Sequence, residues 1–342
     1  MYRICFKGSY YEIGLSNGKQ LIAERERGFP PKFSRENLER SKDYEKVVHA
    51  YCPDLLDELR GMAESCGVNY QVLVALELTP YRLNPSCLVF AITGEHTQSG
   101  RSLLVRNHEW LEEDSKYLTI CTVKPNRKIA SFGFTFHWPL LSRYGGINEA
   151  GLTISSATTS FVNSGPGVML NIATRWILDN FKTTEDAVEF IEEIPKVWGN
   201  NYLIIDKHDT LAKIETHRQK TLVTYPANGF DMITLTYEDP EMRLFIPDET
   251  RDILDLFNTR RQFLNQWFKE HKGNIKEETI FAALKSCENQ LHYHEKAPNG
   301  TFGTCWSWIL SPQSKEAWIS QGPPCKNEFK SHNIEYSFTS QQ

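Results

Sequence analysis

The hydrophobic period of this chain changes at Cys87, and that change limits the folds open to it. Upstream, the stretch from Asp54 to Ser65 places Leu55, Leu56, Leu59, Met62 and Ala63 at the three-to-four spacing of one helix face, between Pro53 and Gly67. Val72, Leu73 and Leu76 begin a shorter helix that stops before Pro80, so residues 1–86 read as a helical segment. From Cys87 the runs 87–93, 102–107, 117–123, 129–135 and 151–157 are short, rich in Val, Ile, Phe and Thr, and separated by Gly, Pro or Asn turns. They predict an antiparallel meander. Helices are predicted over about 170–181 and, behind the capping pattern Thr183 to Asp186, over 187–194. Strands return at 202–206, 211–215 and 222–225, amphipathic helices at 250–272 and 276–287, and strands at 305–310 and 316–320. Clusters of strands with helices between and after them predict a layered α+β fold rather than a parallel doubly wound one.

With 342 residues, 40% of them hydrophobic, the chain can bury a large core. A net charge of −5 and no sustained Lys/Arg stripe argue against nucleic acid as a partner; Glu24 to Arg27 alternates in sign and reads as a solvated face. The first residues lack the apolar region of a signal peptide and no apolar run reaches 18 residues, so a soluble, cytoplasmic protein without a membrane partner is expected. The eight cysteines show no CxxC spacing and are expected to be mostly free, buried thiols. His292 and His294 share one face of a candidate strand, but no HExxH or cysteine pair supports a metal site, and no phosphate-cradling glycine motif or Gly-x-Ser-x-Gly occurs. No metal or organic cofactor is expected.

Three constellations could carry chemistry. Cys87 follows the turn-forming Asn84-Pro85-Ser86 and heads an apolar run. A thiol there is most often a small buried hydrophobe, yet a cut before it would give one residue both a nucleophilic sulfur and a free amine. In Arg106 to Trp110, strand alternation sends Arg106 and His108 one way and Asn107 and Glu109 the other, which offers a cation and a carboxylate to different neighbours, or only an ordinary surface loop. Asn201, beside Asn200 at a strand start, could donate to a developing oxyanion or simply form a turn.

Taken together, the segments Gly8 to Gly14 with Asn17-Gly18, Glu58 to Glu64 with Gly67-Val68, Cys87, Arg106 to Trp110, Asn148 to Leu152, Asn201 to Asp206, Gly303-Thr304 with Ser307, and Gly322-Pro323 run through almost the whole chain. In order and spacing they resemble the acyl-CoA:6-aminopenicillanic acid acyltransferase family, a branch of the N-terminal-nucleophile (Ntn) hydrolases related to choloylglycine hydrolase and penicillin V amidase. The resemblance implies a four-layer αββα sandwich with antiparallel sheets, built as one integrated domain. Residues 1–86 would form a propeptide-like segment and 87–342 the catalytic region, with self-cleavage at Ser86-Cys87 and the two fragments remaining associated. It implies Cys87 as nucleophile, Arg106 as the cation that braces it, Glu109 at the usual aspartate position, Asn201 as an oxyanion or orienting amide, and Arg261, with Arg260 the neighbouring choice, as a supporting helix arginine. Thr158 stands where related amidases carry an oxyanion asparagine, Leu88 where Thr or Ser is usual, and Thr236 to Pro240 replaces an Asn-His-Phe segment. The implied function is an amidohydrolase or N-acyltransferase that forms an acyl-enzyme from a small linear amide or an acyl-CoA thioester, with homo-oligomer formation open. Its rivals are a catalytically silent binding protein on the same fold and an uncleaved papain-like thiol hydrolase with His108 as base.

Overall fold

The computed structural model of the chain describes residues 2–23, 28–80, 86–136, 141–160, 164–246, 251–288, 291–297 and 300–339. The alternating charges at 24–27 and the turn residues Asn84 and Pro85 lie outside the described residues. Residues 1–86 are not wholly helical, because the chain opens with strand β1 (Tyr2–Gly8). Four helices follow: α1 (Tyr10–Ile22), α2 (Arg35–Tyr51), α3 (Asp54–Cys66) and α4 (Tyr70–Leu78). Ser9 caps α1 through a reciprocal capping box with Glu12, and Gly67 ends α3 in the left-handed conformation.

The predicted meander is real but divided. Strands β2 (Ser86–Ile92) and β3 (Leu103–Leu111) pair antiparallel in one sheet, and the chain then crosses to the other. There β4 (Leu118–Pro125), β5 (Ser131–Phe136), β6 (Gly145–Asn148) and β7 (Leu152–Ser160) run on in order. After α5 (Leu170–Asn180) and α6 (Thr184–Glu193), strands β8 (Gly199–Asp206), β9 (Leu211–Thr216) and β10 (Thr221–Thr224) continue the same sheet outward, while β1 pairs parallel with β4 at its far edge. The chain then returns to the first sheet with β11 (Phe230–Ile233), which pairs with β2, and with α7 (Pro240–Arg243), α8 (Arg251–His271) and α9 (Glu277–Lys285). Strands β12 (His294–Ala297), β13 (Gly300–Ser311), β14 (Glu316–Ser320) and β15 (Phe329–Asn333) complete it, ahead of α10 (Ile334–Thr339).

Side-chain alternation turns these two sheets into four layers. Cys87, Val89 and Ala91 of β2 pack with Phe132 and Phe134 of β5, Leu203 and Ile205 of β8, and Trp306 and Trp308 of β13, so this core lies between the sheets. Leu88, Phe90 and Ile92 point the opposite way, against Leu264, Trp267 and Phe268 of α8 and Ile280 of α9. Ile154, Tyr202 and Ile204 on the outer face of the other sheet pack against α1 to α6. The result is an αββα sandwich with mainly antiparallel sheets.

The N-terminal segment is locked into this sandwich. Buried Arg175 of α5 donates to Glu58 of α3 at 3.0 Å and to Asp179 at 2.7 Å, and Tyr10 of α1 donates to Asp179 at 3.0 Å. Helices α1 and α3 cross at backbone distance: a Cβ added at Gly14 would stand 2.0 Å from the Glu58 carbonyl oxygen, and one added at Gly61 2.2 Å from that of Tyr11. Alanine in place of glycine ordinarily helps a helix by about 1 kcal/mol. Here the clash decides the sign, and Gly61→Ala is expected to destabilise the protein by about 1–3 kcal/mol. A lower midpoint in denaturant unfolding checks this, and an unchanged or higher midpoint contradicts it.

Candidate active site

The β2–β3 pairing sets the register of the site. Cys87 lies opposite His108 and Val89 opposite Arg106, which puts the side chains of Cys87, His108 and Arg106 on the face between the sheets. Arg106, buried, extends across that layer. Its Nη1 donates to the Tyr144 and Ser156 carbonyls at 2.9 and 2.7 Å and to Ser155 Oγ at 2.8 Å, all on the facing sheet or its approach. Its Nη2 donates to Cys87 Sγ at 2.6 Å. A guanidinium keeps its charge even when buried, and these oxygen partners are all neutral, so a thiolate or an oxyanion formed at Cys87 would be its natural counter-charge.

Cys87 is fully buried, and burial pushes its thiol up to about 11. Arg106 pulls against that shift, the Glu109 carboxylate adds to it, and the Glu109 backbone N–H favours the charged sulfur. In the uncut chain burial prevails. A Cys–Arg contact alone does not mark a nucleophile, since Arg143 Nη2 also donates to the buried Cys121 Sγ at 2.8 Å, in the middle of β4. What sets Cys87 apart is its place at the head of a strand.

Glu109 and Asn107 face the other way, as alternation predicts. Glu109 Oε1 lies 2.7 Å from Nη1 of Arg260, with both side chains fully buried. Arg261, the residue favoured from sequence, is not at this position. Its Nε binds Glu238 at 2.8 Å, in a network with Lys213 and Asp231, because consecutive helix residues diverge by about 100° and only one of the pair can face Glu109. Arg260 also lies under the Tyr293 ring, 4.7 Å from its centroid, a contact that nothing in the local sequence pattern announces.

Asn201 of β8 shares the inter-sheet face with Leu203 and Ile205. Its Nδ2 donates to the Thr234 and Thr236 carbonyls at 3.1 and 3.0 Å. These two contacts tie β8 to the segment that follows β11. Thr158 pairs with Asn200 and, by alternation, shares the outer face of Ile154, opposite to that of Ala157; its hydroxyl is not brought to Cys87. Asn148 of the Asn148 to Leu152 motif is structural: it accepts from the Ala150 and Leu152 N–H groups and donates to the Leu178 and Phe181 carbonyls.

A sequence profile of acyl-coenzyme A:6-aminopenicillanic acid acyl-transferase matches residues 96–326. The chain belongs to this family. It is therefore an enzyme of the amidohydrolase and acyltransferase kind, although the match begins nine residues after Cys87. No curated protein matches it by sequence. Among solved structures, a variant of the conjugated bile acid hydrolase of Clostridium perfringens superposes with a TM-score of 0.51 at 14% identity, over 73% of this chain and 92% of that one. The N-acylethanolamine-hydrolyzing acid amidase orthologue of Caenorhabditis elegans gives a TM-score of 0.49 at 15% identity, over 66% of this chain and 93% of that one. The family member thus has the Ntn-hydrolase fold.

Two outcomes test the site's wiring. Arg260→Ala would remove the charged partner of a buried carboxylate and is expected to cost about 3–5 kcal/mol, whereas Arg261→Ala, at a partly exposed ion pair, costs less. Equal losses in denaturant unfolding would contradict that assignment. In the fraction of chain still uncut, alkylation of Cys87, read by mass spectrometry on the peptide spanning Ser86 and Cys87, should quicken about tenfold per pH unit until pH approaches the thiol's pKa of about 11. A rate already level near neutrality would show a thiolate and overturn the argument from burial.

Proposed function

We propose that this family member is a cysteine Ntn amidohydrolase or acyltransferase, acting on a small linear amide or acyl thioester through an acyl-enzyme on Cys87. It matures by cutting its own Ser86–Cys87 bond. The observation that carries the reading is Cys87 at the head of β2, on the inter-sheet face, with the Arg106 guanidinium 2.6 Å from its sulfur.

In maturation, the Cys87 sulfur adds to the Ser86 carbonyl. The C–N bond breaks as the C–S bond forms, and the proton passes to the departing nitrogen. Water then hydrolyses the thioester, leaving a carboxylate on Ser86 and a free amine on Cys87. The Cα atoms of Ser86 and Glu109 are partners across β2 and β3, so the carboxylate held by Arg260 lies beside the strand where the new α-ammonium forms. The freed amine, with an unperturbed pKa of about 8, can take the thiol proton and return it to the leaving group. Among the described groups, the Arg106 guanidinium lies against the sulfur, where its charge can meet an oxyanion formed on the attacked carbonyl. Water gives hydrolysis and a bound amine gives transfer, according to how well an acceptor excludes water. The strand β1 and the Glu58–Arg175 pair would keep the two fragments together. Eight cysteines without a disulfide fit a reducing, cytoplasmic setting, and none of the described helices is long and apolar enough to cross a membrane.

Denaturing mass analysis with N-terminal sequencing tests the proposal. Fragments ending at Ser86 and starting at Cys87 are expected, together with an uncut, inactive Cys87→Ala chain. A wild-type chain that stays intact and is inactive against N-acyl amides and acyl thioesters would overturn it. The register that places His108 opposite Cys87 favours a second reading, an uncut thiol hydrolase with His108 as base. An intact, active chain that loses turnover in His108→Ala would establish that one instead.

A further inference from the structure

Far along the sequence from the nucleophile, the fold gathers cysteines and histidines that the proposed reaction does not use. Cys287 follows α9, His292 and His294 flank Tyr293 at the start of β12, and Cys325 lies in the connection between β14 and β15. One donor atom each from Cys287, His292 and Cys325 all lie within 4.8 Å of one another. His292 Nε2 is 3.1 Å from Cys287 Sγ, and His294 Nε2 is 3.3 Å from Cys325 Sγ. A tetrahedral zinc site with Zn–S of about 2.3 Å and Zn–N of about 2.0 Å has sulfur–nitrogen edges of about 3.5 Å, close to both contacts, and His294, which stands outside the group of three, must close in from its place beside Cys325. His294 Nδ1 lies 3.3 Å from Glu112 Oε2, which is the carboxylate-to-histidine contact that turns the opposite ring nitrogen toward a metal.

We propose that Cys287, His292, His294 and Cys325 form a structural zinc site. Zinc binding displaces the two thiol protons and adds a metal link between the segments that carry Cys287, His292 with His294, and Cys325, beside the Lys285–Glu328 ion pair and the Phe281–Phe329 stack. The site also bears on the catalytic face. Tyr293, between the two histidines, lies over Arg260, the partner of Glu109, and the Leu291 carbonyl accepts from Asn107 Nδ2 at 2.7 Å. Gly303 makes this approach feasible, since a Cβ there would fall 2.1 Å from the Tyr293 carbonyl oxygen. The metal would thus brace the loop that holds Arg260 in place, without itself reaching the nucleophile.

The test uses the full chain and reads the metal directly. Elemental analysis of freshly purified protein is expected to find about one zinc per chain. Cobalt(II) added to the chelator-stripped chain should give the charge-transfer bands of cobalt–thiolate bonds. Cys87→Ala should leave both results unchanged, which separates this site from the catalytic thiol. Cys325→Ser should reduce the bands by about half, Cys287→Ser with Cys325→Ser should remove them, and Glu112→Gln should weaken zinc binding about 10- to 100-fold while leaving the ligands in place. Protein that contains no zinc and shows no thiolate bands with cobalt, or in which Cys287 and Cys325 form a disulfide, would overturn the proposal.

Discussion

The joint between the two sheets at Cys87 depends on one buried cation. Arg106 leaves β3, crosses the layer between the sheets, and is gripped on the far side by the Tyr144 and Ser156 carbonyls and the Ser155 hydroxyl. A desolvated guanidinium is costly unless its donors are satisfied, so these bonds tie the two sheets at the point where Cys87 lies. The charge left over falls on the sulfur. The same interaction therefore contributes to the sandwich and sets a positive charge against the Cys87 sulfur.

Around that cation the sheet separates functions by face. Cys87, His108 and Arg106 look inward, while Glu109 looks outward to Arg260 on α8. The Glu109 carboxylate meets the Arg260 guanidinium at 2.7 Å, with both side chains fully buried. It is anchored from the helical layer rather than from the Cys87 face of the sheet. The segment before Cys87 is as deeply integrated as the one after it: β1 extends the eight-stranded sheet, and Glu58 reaches the Arg175 guanidinium inside the core.

Several elements were legible because their residues follow a local rule. Helix α3 announces itself by its apolar spacing and its terminal glycine, and β2 by an apolar run after a turn. Strand β1 was missed: Ile4 and Phe6 turn inward between exposed Arg3, Cys5 and Lys7, an alternation of only a few residues in a parallel edge strand. Strands such as β6 and β11 have only four residues, too few for a period to show. The meander was visible as strands but not as two sheets, since a strand's pattern records which of its faces is buried and not which neighbour it joins.

The sequence alone determined the helical and extended periods, the thiol at a strand head, and the opposite facing of Arg106 and Glu109, since backbone geometry makes each a local consequence of residue order. The folded chain alone decided that Arg260 rather than Arg261 meets Glu109, that Asn201 spends its hydrogens on Thr234 and Thr236, and that Cys287 and Cys325 come to His292 and His294. These contacts join residues far apart in the chain, or choose between neighbours on one helix. Both depend on how helices and sheets are set against each other, which no local period encodes.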